Sequence, residues 1–153
     1  MEKETPYIHR RKILFGDTDA AAVVYTPRFT DYCMEAAETW FREYLDIDWY
    51  HHTTELGQGT PVVHMELDFS ASLIGNDKLG VSVRLGKLGR STVTLEFEGI
   101  RTRGNEDPVT SFTAKFIFCF ISNKSGGAVV IADQQRELIE NYRMNCDLNS
   151  GKK

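Results

Sequence analysis

A long run of helical spacing constrains the fold of this chain more than any other feature. From residue 29 to residue 45, apolar residues recur at intervals of three and one, the period of a helix with a wide buried face. Thr26 and Pro27 precede the run and are typical of an N-cap and a first helical position. We predict a helix over residues 27–45, roughly 28 Å long, whose buried face comprises Phe29, Tyr32, Cys33, Ala36, Ala37, Trp40, Phe41, Tyr44 and Leu45.

The remaining segments alternate with a period of two, which indicates strands. We predict strands over residues 7–14, 61–71, 79–85, 92–98 and 112–121, a short helix over 48–56 and a closing helix over 133–145. Turns this short favour antiparallel neighbours, and one apolar helix must then cover one face of the sheet. The pattern predicts an α+β domain. In the strand after Pro61, one face carries Val63, Met65, Leu67, Phe69 and Ala71.

Length and charge restrict the class of protein. With 153 residues, one domain is expected, with a core over about 7–146 and a frayed tail from Asn149. The formal net charge of −4 argues against a nucleic-acid-binding face, which is usually basic. The chain has neither a membrane-length apolar run nor a hydrophobic signal region at its start. Three scattered cysteines suit a reducing compartment, so we expect a cytoplasmic protein.

Several catalytic motifs are missing from the sequence. It contains no Gly-x-Ser-x-Gly elbow, no phosphate-binding glycine loop, and no His or Cys pair with metal-ligand spacing. We therefore expect neither a metal nor a bound cofactor.

The segment before the long helix carries the strongest candidate site. Asp17 and Asp19 stand there, and such aspartates often only stabilise turns. However, residues 20–24 are too apolar for a solvated loop, and the helix start beside them offers unpaired N–H groups. Those donors suit a developing oxyanion. The amides of Thr26 or Tyr25 are the expected free donors.

One carboxylate and one oxyanion donor suit a thioester better than an amide. A thiol leaves as a thiolate with a pKa of about 8.5, so it does not need a general acid. An amine does need one. The residues therefore favour thioester cleavage.

Residues 15–27 (FGDTDAAAVVYTP), 59–64 (GTPVVH), 68–69 (DF) and 75–79 (GNDKL) together resemble a known family. They are similar to hotdog-fold acyl-CoA thioesterases of the 4-hydroxybenzoyl-CoA thioesterase type, and to 1,4-dihydroxy-2-naphthoyl-CoA thioesterases. The resemblance spans residues 10–121. It implies a curved antiparallel sheet wrapped around one long helix, an acyl-CoA substrate, and homodimers or homotetramers with shared sites.

The same resemblance assigns roles to individual residues. It implies that Asp19 is the catalytic nucleophile or general base and that the Thr26 amide polarises the thioester carbonyl. Lys87 and Arg90 match a basic turn that contacts coenzyme A, although ordinary turn-solubilising charges would look the same. The resemblance further implies a substrate site that includes Met34, Glu35, Gly59, Thr60 and Pro61, of which Gly59, Thr60 and Pro61 are expected to come from a neighbouring chain. Tyr25 and His64 are further candidates for this site, although His64 is better explained as a strand histidine whose hydrogen bonds are satisfied within the fold.

Two departures from the family pattern bear on the site. The chain has Ala22 where the signature often has glycine, which restricts the backbone. Met34 stands where hydroxybenzoyl enzymes carry a carboxylate that meets the substrate phenol, so a less polar or differently substituted aryl group is expected. We predict an acyl-CoA thioesterase that favours an aromatic acyl group. A short-chain acyl-CoA or acyl carrier protein thioesterase, and a hotdog module that binds acyl-CoA without turnover, are the alternatives.

Overall fold

The computed structural model describes residues 2–150, which form an α+β structure around one antiparallel five-stranded sheet. The strand order is β1-β4-β5-β6-β3, and a second sheet of three short strands has the order β2-β7-β8. The helices are α1 (Arg28–Leu45), α2 (Trp49–Thr54) and α3 (Asp133–Ser150). The strands are β1 (Tyr7–Lys12), β2 (Gln58–Gly59), β3 (Val62–Phe69), β4 (Lys78–Leu88), β5 (Thr92–Thr102), β6 (Val109–Cys119), β7 (Ile121–Ser122) and β8 (Gly127–Ala128).

Helix α1 is the centre of the core, as the spacing predicts. Eight of its nine predicted core positions are buried, and the ninth, Tyr44, is half-buried. The sheet supplies the other side of the core through alternate residues of its central strands. These buried residues are Leu79, Val81, Val83, Val93, Leu95, Phe97, Phe112, Ala114, Phe116 and Phe118.

The start of α1 differs from the prediction. The helix begins at Arg28, Pro27 occupies the N-cap, and no side chain caps it, so the N-cap assignment of Thr26 is wrong. The physical reason is a tight turn before the helix. The Arg28 N–H already bonds to the Tyr25 carbonyl at 2.8 Å, and the Phe29 N–H bonds to the Thr26 carbonyl at 3.3 Å.

The end of the chain also differs from the prediction. Helix α3 continues to Ser150, five residues past the predicted end, and buries Ile139, Tyr142 and Cys146. The Asn149 amide donates to the carbonyl and the hydroxyl oxygen of Thr5, each at 2.6 Å. Residues 149–150, which the prediction placed in a frayed tail, lie within α3, while residues 151–153 of that prediction lie outside the described residues. None of the helices within residues 2–150 is long and apolar enough to cross a membrane.

Strand β3 lies at an edge of the large sheet and leaves apolar side chains uncovered. A bulge between Val62 and His64 displaces Val63, after which Met65, Leu67 and Phe69 lie opposite core residues of β6. Even so, Val63 is 60% exposed, Met65 43% and Phe69 54%. Exposed apolar edges are unusual, because they invite pairing with another chain.

A buried ion pair fixes the start of β4. The Asp77 carboxylate, 1% exposed, receives two bonds from the Arg103 guanidinium at 2.8 Å each and one from the Ile74 N–H at 2.8 Å. Its carbonyl accepts the Ile13 N–H at 2.8 Å, which ties β4 to the segment that leaves β1. Burial raises the pKa of Asp77, but the Arg103 and Ile74 donors lower that pKa by more, so the net shift is downward.

Candidate active site

The segment between β1 and α1 folds into a closed loop, the aspartate loop (residues 17–25). An isolated bridge between Thr18 and Val24 joins its two sides. At its base, the Tyr25 N–H bonds to the Asp17 carbonyl at 3.0 Å. The Val24 N–H bonds to the Leu73 carbonyl at 2.8 Å, which anchors the loop to the segment before β4.

The two aspartates of the loop have opposite environments. Asp17 is buried, at 7% exposure. Its carboxylate accepts the Leu14 N–H at 2.8 Å and pairs with the Arg11 guanidinium at 3.2 Å. These two donors, the Leu14 N–H and the Arg11 guanidinium, hold the Asp17 carboxylate in place. Asp17 is an anchor of the loop.

Asp19 is exposed. Its Oδ1 atom accepts the Ala21 N–H at 2.8 Å, and within residues 2–150 its carboxylate forms no ion pair. Its own N–H bonds to the Val23 carbonyl at 2.9 Å, so the backbone that carries this carboxylate is ordered. The carboxylate is therefore held in place by one hydrogen bond to Oδ1, and its Oδ2 atom remains free to contact a substrate.

Ala22 supports the turn that follows Asp19 in an unfavourable backbone conformation. Its φ of 62° lies in the left-handed region, where a Cβ atom clashes with the backbone. The Ala22 N–H closes the turn by bonding to the Asp19 carbonyl at 2.9 Å. Alanine thus adopts the conformation for which the signature usually provides glycine.

Only one of the two amides proposed as oxyanion donors remains available. The Tyr25 N–H is used by the Asp17 carbonyl, so Tyr25 as a free amide donor is wrong. Over residues 2–150, the Thr26 N–H has no hydrogen-bond acceptor, and Thr26 is exposed. Tyr25 contributes a side chain that is 55% exposed.

Four of the predicted substrate residues line one cavity of about 370 Å³. Met34 reaches it from α1, and Gly59, Thr60 and Pro61 reach it from the β2–β3 segment. Trp49 and Ile121 complete much of its apolar wall. Within residues 2–150, Asp19 is not among the residues that line this cavity.

The other predicted residues lie elsewhere. Glu35 points away from the Met34 cavity and bonds to Arg11 at 2.6 Å. His64 is exposed and pairs with Glu66 at 2.8 Å. Lys87 follows Lys78 by nine positions on β4, roughly 30 Å along the strand. Because Lys78 marks the end next to the aspartate loop, the turn with Lys87 and Arg90 lies at the far end.

The turn with Lys87 and Arg90 is well supported by the main chain. The Arg136 guanidinium donates to the Gly89 carbonyl at 2.8 Å, and the Ile131 N–H donates to the Arg90 carbonyl at 3.0 Å. Both basic side chains are exposed, and neither forms an ion pair with any residue of the described part of the chain.

The sequence patterns did not reveal that Arg11 and Glu35 belong to the surroundings of Asp17. Arg11 interrupts a strand of mixed polarity, and Glu35 was assigned to substrate. Alternation along β1 could have shown that Arg11 shares the inward face with Tyr7 and His9, and an inward charge needs a partner.

The fold and this loop together define the hotdog class, with a carboxylate-bearing loop in front of the central helix. Comparison with known proteins agrees: the sequence profile of the thioesterase-like superfamily matches residues 13–139. This chain belongs to the thioesterase-like superfamily, and it is a thioester hydrolase.

Individual relatives support the same assignment. The 1,4-dihydroxy-2-naphthoyl-CoA hydrolase of Synechococcus elongatus is 32% identical over 106 residues, which cover 69% of this chain and 75% of the relative. A thioesterase superfamily structure from Jannaschia sp. CCS1 has a TM-score of 0.79 at 27% identity, covering 91% of this chain and 94% of the other. The 4-hydroxybenzoyl CoA thioesterase of Pseudomonas sp. strain CBS-3 has a TM-score of 0.79 at 23% identity, with coverages of 86% and 97%, and is similar in fold.

Proposed function

We propose that this protein is an acyl-CoA thioesterase that releases an aromatic acid and coenzyme A, with Asp19 as its catalytic carboxylate. The contrast between the two loop aspartates carries this proposal. Asp17 is buried and neutralised by Arg11, whereas Asp19 is exposed, ordered and without a counter-ion in the described chain. A reactive carboxylate must meet the substrate, and only Asp19 meets that requirement.

Two mechanisms fit an exposed carboxylate. As a nucleophile, an Asp19 oxygen attacks the carbonyl carbon and the CoA thiolate leaves; water then cleaves the resulting anhydride to the free acid and restores the carboxylate. As a general base, Asp19 takes a proton from water while the water oxygen attacks the same carbon, and the leaving thiolate is protonated afterwards.

The Thr26 N–H is the proposed donor to the thioester oxygen. Negative charge develops on that oxygen during attack, and a fixed backbone N–H stabilises it without reorganisation. The start of α1 adds the positive end of the helix dipole. The bond between the Tyr25 N–H and the Asp17 carbonyl supports the choice of Thr26, because it removes the neighbouring donor.

The aromatic acyl group is proposed from the relatives and from the cavity chemistry. The Synechococcus relative is named for a dihydroxynaphthoyl thioester. The cavity around Met34 has about 370 Å³ and an apolar wall that includes Trp49 and Ile121. An aryl ring suits such a wall, and Met34 offers no charge to a phenol.

We propose that two copies of the chain share the site. The apolar residues Val63, Met65 and Phe69 of edge strand β3 remain exposed, as do Leu14 at 57% and Phe15 at 91% near the aspartate loop. A second copy would cover this surface, and it would bring the Gly59–Pro61 side of its cavity toward Asp19. A dimer is the minimal assembly, and a homotetramer would contain two such pairs.

Lys87 and Arg90 are proposed to bind the phosphates of coenzyme A in the partner's site. In their own chain they lie roughly 30 Å along β4 from the aspartate-loop end. Their exposed, unpaired charges would offset those phosphates in an otherwise acidic protein.

We propose no cofactor beyond the coenzyme A portion of the substrate, and a cytoplasmic location, which the three free cysteines support.

Release of free thiol across a panel of thioesters tests the function. Benzoyl-, 4-hydroxybenzoyl- and dihydroxynaphthoyl-CoA should be cleaved with higher kcat/KM than acetyl- or butyryl-CoA. A preference for the short acyl groups would support the short-chain alternative, and acyl carrier protein thioesters belong in the same panel. Binding of acyl-CoA without any thiol release would support the non-catalytic module.

A further inference from the structure

Arg11 joins the aspartate loop to the central helix through two carboxylates. Its Nη2 atom lies 3.2 Å from Asp17 Oδ2, and its Nη1 atom lies 2.6 Å from Glu35 Oε1. The guanidinium carbon lies 4.5 Å from the centre of the Tyr32 ring, over its face. The side chains of Arg11 and Asp17 are 20% and 8% exposed, so their contact is largely shielded from water, whereas the Glu35 side chain is 41% exposed.

The contacts extend beyond Arg11 and form what we call the arginine cluster (Tyr7, His9, Arg11, Asp17 and Glu35). The second oxygen of Glu35 lies 3.1 Å from His9 Nε2, and His9 Nδ1 lies 3.2 Å from the Tyr7 hydroxyl. Three members come from β1, one from α1 and one from the aspartate loop. The cluster therefore fixes these three segments relative to one another.

The geometry explains why the central residue is arginine. A planar guanidinium presents separate N–H groups to two carboxylates at once, whereas a lysine ammonium is a single point of charge. Asp17 is 7% exposed, and an unpaired charge at that depth would be costly. Arg11 is thus the group that permits the Asp17 carboxylate to stay buried.

Asp17 transmits this constraint to Asp19, two residues further along the chain. The Asp17 carbonyl accepts the Tyr25 N–H, and the Asp19 N–H bonds to the Val23 carbonyl at 2.9 Å. The two sides of the aspartate loop, one with Asp19 and the other with Val23 and Tyr25, therefore depend on the position of Asp17. If the Asp17 carboxylate moved, the catalytic carboxylate and the amide at Thr26 would lose their common support.

We propose that Arg11 is a positioning residue for thioester hydrolysis, acting through Asp17 on the aspartate loop, with Glu35 holding its guanidinium in place. The inference rests on the proposed function of Asp19. Arg11 points into the contact between β1 and α1, and within residues 2–150 it forms no ion pair with Asp19. It therefore affects the geometry of the reacting groups and not the binding of coenzyme A.

The test compares steady-state kinetics of Arg11→Met with the wild type. We expect kcat to fall about 10- to 100-fold, because displacing a reacting group by about 1 Å costs that much, while KM changes less than threefold. The kcat of Arg11→Lys should lie between those of the wild type and Arg11→Met. Glu35→Gln should lower kcat less than Arg11→Met, and the double variant should be no slower than Arg11→Met alone, because both act through one chain of contacts.

Arg10→Met is the matched control. Arg10 is the next residue on β1, is exposed, and pairs with Glu4 at 2.7 Å. Removing its charge should leave kcat unchanged. If Arg11→Met does not fold, Arg11→Lys keeps the buried Asp17 carboxylate paired with a positive charge, and its kcat provides the kinetic comparison.

Amide hydrogen exchange provides a readout that does not require activity. Exchange at Asp19 and Tyr25 should be faster in Arg11→Met than in the wild type, and unchanged in Arg10→Met. A folded Arg11→Met with wild-type kcat and wild-type exchange would overturn the inference while leaving the proposed function intact. A wild type that cleaves no thioester would instead overturn the proposed function, and the exchange comparison would then decide alone whether Arg11 orders the loop.

Discussion

The Tyr25 N–H donates to the Asp17 carbonyl at 3.0 Å, and this bond determines which amide remains unpaired before α1. Since the Arg28 and Phe29 amides bond back to Tyr25 and Thr26, and Pro27 has no N–H, Thr26 is the remaining donor in this turn. The same bond sets the width of the loop that carries Asp19. The anchor and the proposed catalytic groups are therefore parts of one structure.

Replacing Ala22 with glycine should stabilise the protein. A left-handed φ costs a non-glycine residue about 1–2 kcal/mol. Glycine removes this cost, but it also increases the conformational entropy of the unfolded chain, which offsets part of the stabilisation. At the Ala22 φ of 62°, we expect the free energy of unfolding to rise by roughly 0.5–1 kcal/mol. Urea denaturation of Ala22→Gly at an unchanged m-value measures it.

Ala21→Gly is the control for this comparison, because Ala21 is not among the residues of positive φ in the described chain. It should lower the free energy of unfolding through backbone entropy alone. Equal destabilisation by both glycines would show that the Ala22 conformation is not strained.

The apolar periodicity predicted most of the fold. In α1, each predicted core position is fully or partly buried. A 3.6-residue apolar period sustained over a helix of that length determines which face of the helix is buried. The two-residue strands β7 and β8 could not be predicted, because such a short pair has no periodicity. The cap at Thr26 was wrong because tight turns before a helix depend on contacts outside the local sequence.

The candidate site was less predictable than the fold. The sequence motif selected both aspartates, but their different burial depends on Arg11, which only the pairing of β1 against α1 brings to Asp17. Likewise, Glu35 and Met34 are adjacent in sequence and diverge in space, because successive helical residues point about 100° apart. Glu35 contacts β1, and Met34 contacts the cavity.

Asp77→Asn should lower stability in a pH-dependent way. The pKa of Asp77 in the folded protein is below its ordinary value of about 3.9. At pH values above about 3.9 the ionised carboxylate therefore stabilises the fold, and this stabilisation is lost as the pH falls through the lowered pKa. We expect the variant to lose about 3 kcal/mol at pH 7, as for a broken buried pair. Urea denaturation at pH 7 and at progressively lower pH measures the difference.

Asp107→Asn is the matched control for this charge, because Asp107 is exposed in the β5–β6 turn. It should change stability little at any pH. A penalty for Asp77→Asn that stays constant as the pH falls well below 4 would contradict the role assigned to the carboxylate charge.

Met34→Asp should change the preference among aromatic substrates. A carboxylate in the cavity would accept the phenol hydrogen bond of 4-hydroxybenzoyl-CoA, and hydrogen bonds to charged groups contribute about 1.5–3 kcal/mol. We expect the ratio of kcat/KM for 4-hydroxybenzoyl-CoA over benzoyl-CoA to rise about tenfold or more. Met34→Leu should leave the ratio unchanged, and an equal ratio in both variants would remove Met34 from the acyl site.

Arg90→Glu should weaken binding of coenzyme A esters specifically. We expect KM to rise about tenfold for an aryl-CoA and to stay unchanged for the same acyl group on N-acetylcysteamine, which lacks the nucleotide. Lys124→Glu changes the net charge equally, in the exposed turn between β7 and β8. If Lys124→Glu raises KM as much, then Arg90 acts through overall charge and not as a phosphate ligand.

The turnover of Asp19→Asn tests the central claim most directly. Asparagine has nearly the same shape and can still accept the Ala21 N–H through its Oδ1 atom, but it is neither a base nor a competent nucleophile. We expect kcat on an aryl-CoA to fall at least 100-fold, with the urea midpoint and the binding of the product coenzyme A close to the wild type. Undiminished thiol release by a folded Asp19→Asn would contradict the assignment of Asp19 as the catalytic carboxylate.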